Sequence, residues 1–149
     1  RSFTRGALAI AAGGPVFACS EVPTGDPVKI TYDRDTCAHC QMLISERGFA
    51  AEAFDPTTRK MAKFDDIGCL AVYATEKGFI DKPEAKFWVM NNADQATWLD
   101  ASAASYVDGA LSPMGYGFAA KPKGEGSLDF ASVKASAQKR AHCTTPTEG

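Results

Sequence analysis

Histidine is scarce in this chain, with two in 149 residues. That argues against a hydrolase built on a Ser-His-Asp framework. No glycine-rich phosphate loop is present among its 13 glycines, which sets P-loop nucleotide chemistry aside. Basic residues hold no surplus: 16 Lys and Arg stand against 18 Asp and Glu, a formal charge of -2. Nucleic acid is therefore not an expected partner. No apolar run approaches the roughly 20 residues that a membrane-spanning helix requires. Against these absences, 45% of residues are hydrophobic and 23% charged, enough for one ordinary domain once a leader is set aside.

The richest stretch is Cys37-Ala38-His39-Cys40-Gln41-Met42. It places two thiols, an imidazole and a thioether within one turn of backbone. Thiolate and thioether are soft donors, and Cu(I) takes both together most readily. Zinc accepts Cys and His but is not normally held by Met. A redox dithiol needs Cys37 and Cys40 and has no use for Met42. Met42 thus tilts a generic CxxC toward copper, with Cys37, His39, Cys40 and Met42 as candidate ligands.

The N-terminus reads as a targeting segment. An apolar run from Ala7 closes on Val16-Phe17-Ala18-Cys19, similar to a lipoprotein cleavage box, and predicts a signal segment over 1–19 with Cys19 lipidated. Residues 20–27, with two prolines and a glycine, read as a tether. A domain is expected over 28–141 and a flexible tail over 142–149.

Within the domain the pattern predicts strands at Val28–Tyr32 and Gly48–Phe54, a turn at Asp55–Arg59 and a returning strand at Lys60–Phe64. A helix follows, capped by Asp65 and ended by Gly78, with Cys69 inside it as a small buried hydrophobe. Strands are expected again at Lys86–Met90 and Ala104–Val107, an extended piece after the glycine-punctuated 112–118, and a final helix capped by Ser127. The order indicates an α+β domain with a mainly antiparallel sheet. Met114, between Pro113 and Gly115, is either a thioether that reaches the metal or a gap-filler in the core.

Taken in order, Cys19, Cys40-Gln41-Met42, Phe64-Asp65-Asp66-Ile67-Gly68-Cys69, Trp98-Leu99-Asp100-Ala101 with Ala104–Val107, and Pro113-Met114-Gly115 resemble the NosL family. Members of that family are copper-binding lipoproteins that accompany nitrous oxide reductase maturation. The resemblance runs from about Tyr32 to Ala137. It implies a Cu(I) chaperone rather than an enzyme, periplasmic or extracytoplasmic and held at the membrane by a lipid anchor. It implies a fold of two related ββαβ units, similar to the organomercurial-lyase-like module. Its ligands carry onto Cys40, Met42 and Met114, which ranks Cys40 above Cys37. The copper-receiving client would be nitrous oxide reductase or its maturation machinery. Two departures leave that client open: Cys37 and His39 are additional, and Asn91-Asn92 stands where many members have Asp-Met.

Two other readings remain. A thiol-disulfide oxidoreductase would use Cys37 and Cys40, and requires Cys37 at the head of a helix. A zinc site would draw on Cys37, Cys40, His142 and Cys143.

Overall fold

A computed structural model describes residues 24–144. The expected signal segment, the lipidated Cys19 and the tether up to residue 23 lie outside the described residues. So do the tail beyond Thr144 and the side chains of His142 and Cys143.

Strands β1 (Ala51–Asp55) and β2 (Lys60–Phe64) form the expected hairpin. Its turn is closed by Asp55, whose carboxylate accepts from the Thr57 N–H (2.8 Å) and the Thr58 hydroxyl (2.9 Å). Helix α1 (Ile67–Glu76) follows, then β3 (Lys86–Met90) and β4 (Trp98–Asp100). These strands make one antiparallel sheet in the order β2-β1-β3-β4. β5 (Ser105–Val107) and β6 (Ala119–Lys121) form a second, two-stranded antiparallel sheet, and α2 (Phe130–Thr144) completes the order. The class is α+β with antiparallel sheets, as the sequence predicts. The first half follows ββαβ. The second brings its strands before its helix, and α2 runs past the expected domain end at residue 141.

α1 packs against β1, β2 and α2, which is why Ile67 to Val72 are all buried. Strand alternation sends Ala51, Ala53 and Phe64 toward the helix, where Phe64 meets Tyr73 edge-on at 5.3 Å. Glu52 and Phe54 take the other face. The chain around residues 24–28 crosses that face: Trp88 Nε1 donates to the Gly25 carbonyl (2.8 Å), and the Val28 N–H donates to Glu52 Oε2 (2.8 Å).

Three expectations change here. Val28–Tyr32 forms no strand. It lies over the face of the sheet, held there by the Val28 N–H on Glu52 and by Lys63 Nζ, which donates to the Lys29 carbonyl at 2.7 Å. The cap of α1 is Asp66, which accepts from the Gly68 N–H at 2.8 Å, and not Asp65. Asp129 rather than Ser127 holds the start of α2, accepting from the Ser132 N–H at 2.8 Å. Ser127 cannot begin a helix because its neighbour Leu128 is bridged to Tyr106 by two backbone hydrogen bonds of 2.8 and 3.0 Å.

Candidate metal centre

The CxxC stretch is the tip of a small hairpin. Thr36 and Leu43 form an antiparallel bridge, and the Cys37 N–H donates to the Met42 carbonyl at 2.8 Å. The chain reverses through Gln41, which adopts the left-handed region at φ 64°. A non-glycine residue resists that conformation. Here the Gln41 side-chain amide is bonded to the Ala38 (3.1 Å) and Cys37 (3.3 Å) carbonyls, which hold the turn. The tip is fastened to the sheet by the Ala38 N–H, which donates to the Lys63 carbonyl at 2.8 Å. Cys37 therefore does not head a helix, and the arrangement required for a thioredoxin-type dithiol is absent from this hairpin.

The hairpin tip faces the start of α1. Asp65 lies just before the cap and Cys69 within the first turn. Cys37, Cys40, Cys69 and Asp65 each turn one ligand atom into a common space, all within 4.8 Å of one another. Cys37, Cys69 and Asp65 are buried, and Cys40 is half-buried, leaving one side of the group near solvent. A tetrahedral metal with bonds of about 2.3 Å spaces its sulfurs by about 3.8 Å. The group is therefore within small side-chain adjustments of holding an ion.

Protons are unevenly held. The Cys69 thiol donates to the Cys37 sulfur, and the backbone N–H groups of Cys40, Asp65 and His39 also act on it. Together they bring Cys37 down to about 7 against the opposing effect of burial. Burial, with the Cys37 and Asp65 charges nearby, pushes the Cys40 thiol up to about 12, and the same sulfur lies 3.4 Å from Asp65 Oδ1. Cys69 is pushed up as well, chiefly because it donates to Cys37. Near neutral pH the cluster thus presents one partly ionised thiolate flanked by two thiols. Asp65 is 2% exposed, and among the described residues no cation pairs with it. A carboxylate buried without a cation is costly unless hydrogen-bonded or bound to metal.

Asp66 organises the rim. Its Oδ2 accepts from the Ser112 hydroxyl (2.6 Å) and the Met114 N–H (3.0 Å), so the loop from the second half of the chain is tied to the residue beside Asp65. Tyr116, from the same loop, packs on Gly68 so closely that a Cβ there would sit 1.9 Å from the ring. Gly68 is what lets this loop close over the first turn of α1.

Of the residues expected from sequence, Cys37 and Cys40 both enter the cluster. His39 is not in the group; its Nδ1 lies 3.7 Å from Glu76 Oε2. Met42 and Met114 are exposed, at 58% and 40%, on the knuckle and on the loop bound to Asp66. Cys69 and Asp65 enter although the sequence assigned them to core and cap. The side chains of His142 and Cys143 lie outside the described residues. The chain contains a cysteine-rich cluster able to hold a metal ion. No protein-family model matches the chain, and no curated protein matches it.

Proposed function

We propose that the protein is a Cu(I) carrier whose ion is held by Cys37, Cys40 and Cys69. The observation behind this reading is the convergence of those three sulfurs with Asp65 inside 4.8 Å. Three thiolates form a soft set that suits Cu(I). Backbone N–H groups aimed at Cys37, and that of Met42 aimed at Cys40, stabilise the charge that the sulfurs take on when they bind. Half-buried Cys40 leaves a flank through which a recipient's ligand enters. Exposed Met42 and Met114 supply thioethers near the rim that bind weakly and exchange without gaining or losing a proton. The protein delivers its ion to an extracytoplasmic client and is tethered through a lipid on Cys19. The motif order shared with the NosL family supports that role, with nitrous oxide reductase or its maturation machinery as the candidate client.

A second reading has one observation in its favour. Asp65 adds a carboxylate oxygen to the three sulfurs, and Cys₃Asp is a closed tetrahedral set of a kind that zinc accepts. Competition of the reduced protein against chromophoric chelators, with Cu(I) and with Zn(II), separates the two. The carrier reading expects one Cu(I) per chain held in preference to zinc, with the site lost in Cys69→Ser. Tighter zinc, or unchanged Cu(I) binding in Cys69→Ser, overturns it.

A further inference from the structure

On the other flank of the hairpin tip lies the free edge of the sheet. β2 is an edge strand, with β1 on one side only. Because the Lys63 carbonyl accepts from Ala38, Lys63 directs its backbone groups outward, and by alternation so does Met61. Among the described residues the knuckle uses the Lys63 carbonyl alone. The N–H groups of Met61 and Lys63 and the Met61 carbonyl meet no backbone partner among the described residues.

A hollow of about 560 Å³ sits against this edge. Lys60 and Ala62, on one face of β2, and Met61 and Lys63, on the other, all line it. Consecutive residues that alternate between the two faces border a single space when that space lies along the edge itself, where the next strand would run about 4.8 Å away. Ala38, between the two knuckle cysteines, closes one end.

The charges of the hollow are selective. Its two acids are already engaged: Asp35 with Lys63 at 2.7 Å, and Asp55 with Thr57 and Thr58. Lys60 and Lys77 line the same space and have no ion pair among the described residues, and Lys77 Nζ stands 5.6 Å over the Tyr73 ring. Lysines on an edge repel indiscriminate strand pairing. An incoming strand with carboxylates opposite them gains instead of losing.

We propose that the β2 edge is a docking site for an extended acidic segment of a partner protein, which adds as a fifth strand beside the cysteine knuckle. Main-chain bonds to Met61 and Lys63 supply the affinity, and Lys60 and Lys77 supply the preference for acid. The purpose of such a partner, to exchange metal at the adjoining thiols, rests on the carrier reading; the way it binds rests on the edge alone.

The test uses the whole, reduced, metal-free protein, so that its failure is independent of Cu(I) competition. The probe is a blocked eight-residue peptide alternating glutamate with valine and threonine, compared with its lysine counterpart. Amide hydrogen exchange is read at single residues. The acidic peptide is expected to slow exchange at Met61 and Lys63, the lysine peptide to leave both unchanged, and the Lys60→Glu, Lys77→Glu double variant to weaken binding at least tenfold. Both lysines are exposed, so the variant keeps its core. No protection at those two amides, equal protection by the lysine peptide, or undiminished binding to the variant overturns the proposal. Protection that grows with protein concentration without peptide also overturns it, and assigns the edge to a second copy of this chain.

Discussion

Glu52 offers a test of the fold that does not involve metal. Its carboxyl is fully buried in β1, Oε2 accepts from the Val28 N–H, and Oε1 has no hydrogen-bond partner among the described residues. Burial pushes it up from 4.5 to about 7, against the opposing effects of the Val28 N–H and Lys63. A raised carboxyl is stabilising while protonated in the fold. That contribution is fully present below the unfolded value of 4.5 and is lost as pH rises through about 7. The interval corresponds to about 3 kcal/mol. The group is wholly buried, so solvent screening takes little from it.

Glu52→Gln keeps a carbonyl for Val28 and removes the titration. Urea unfolding of parent and variant, reduced and metal-free, is compared at pH 4.5, 6 and 8. The variant is expected to gain ~3 kcal/mol on the parent between the lowest and highest pH. Subtracting the two curves matters because Cys37, brought down to about 7, titrates in both proteins with the opposite sign. A gap between variant and parent that stays constant across this range would refute the assignment of a buried, proton-holding Glu52.

Three further outcomes follow from the rim of the cluster. Gly68→Ala places a methyl 1.9 Å from the Tyr116 ring and should cost ~3 kcal/mol in chemical denaturation; a cost near zero would mean the loop does not close there. Asp66→Ala removes the cap bond to Gly68 and the bonds from Ser112 and Met114. It should destabilise by ~2–3 kcal/mol and speed amide exchange at Met114; Met114 exchange unchanged from the parent would place the loop elsewhere. Met114→Leu should change stability by less than ~1.5 kcal/mol, as a near volume-conserving swap, yet weaken Cu(I) retention against a chelator; unaltered retention makes Met114 a bystander.

Local chemistry was legible where one segment decides it. The Asp55–Arg59 turn, the β1–β2 hairpin, β3 and the end of α1 at Gly78 (φ 72°) all follow from residues close in sequence. Val28–Tyr32 alternates as a strand should, but the Glu52 carboxyl and Lys63 Nζ take the Val28 N–H and the Lys29 carbonyl across the face of the sheet. Ser127 has the residue type of a cap, but the bridge between Leu128 and Tyr106 forces its neighbour to be extended. In each case long-range hydrogen bonds to the backbone outranked a local preference worth about 1 kcal/mol.

The candidate metal centre divides along the same line. The CxxC half is a property of six consecutive residues. Cys69 occupies an apolar position of α1 and is as fully buried as Leu70 beside it, so periodicity gives a candidate ligand and a core residue the same signature. What separates them is the direction from which the hairpin tip arrives. That direction is set by the Ala38–Lys63 bond and by β2 leading straight into Asp65 and the first turn of α1. β2 thus anchors the CxxC knuckle on one side and delivers Asp65 and Cys69 on the other. A sequence reading that joined these two facts would have had to pair residue 38 with residue 63, a contact that neither segment encodes alone.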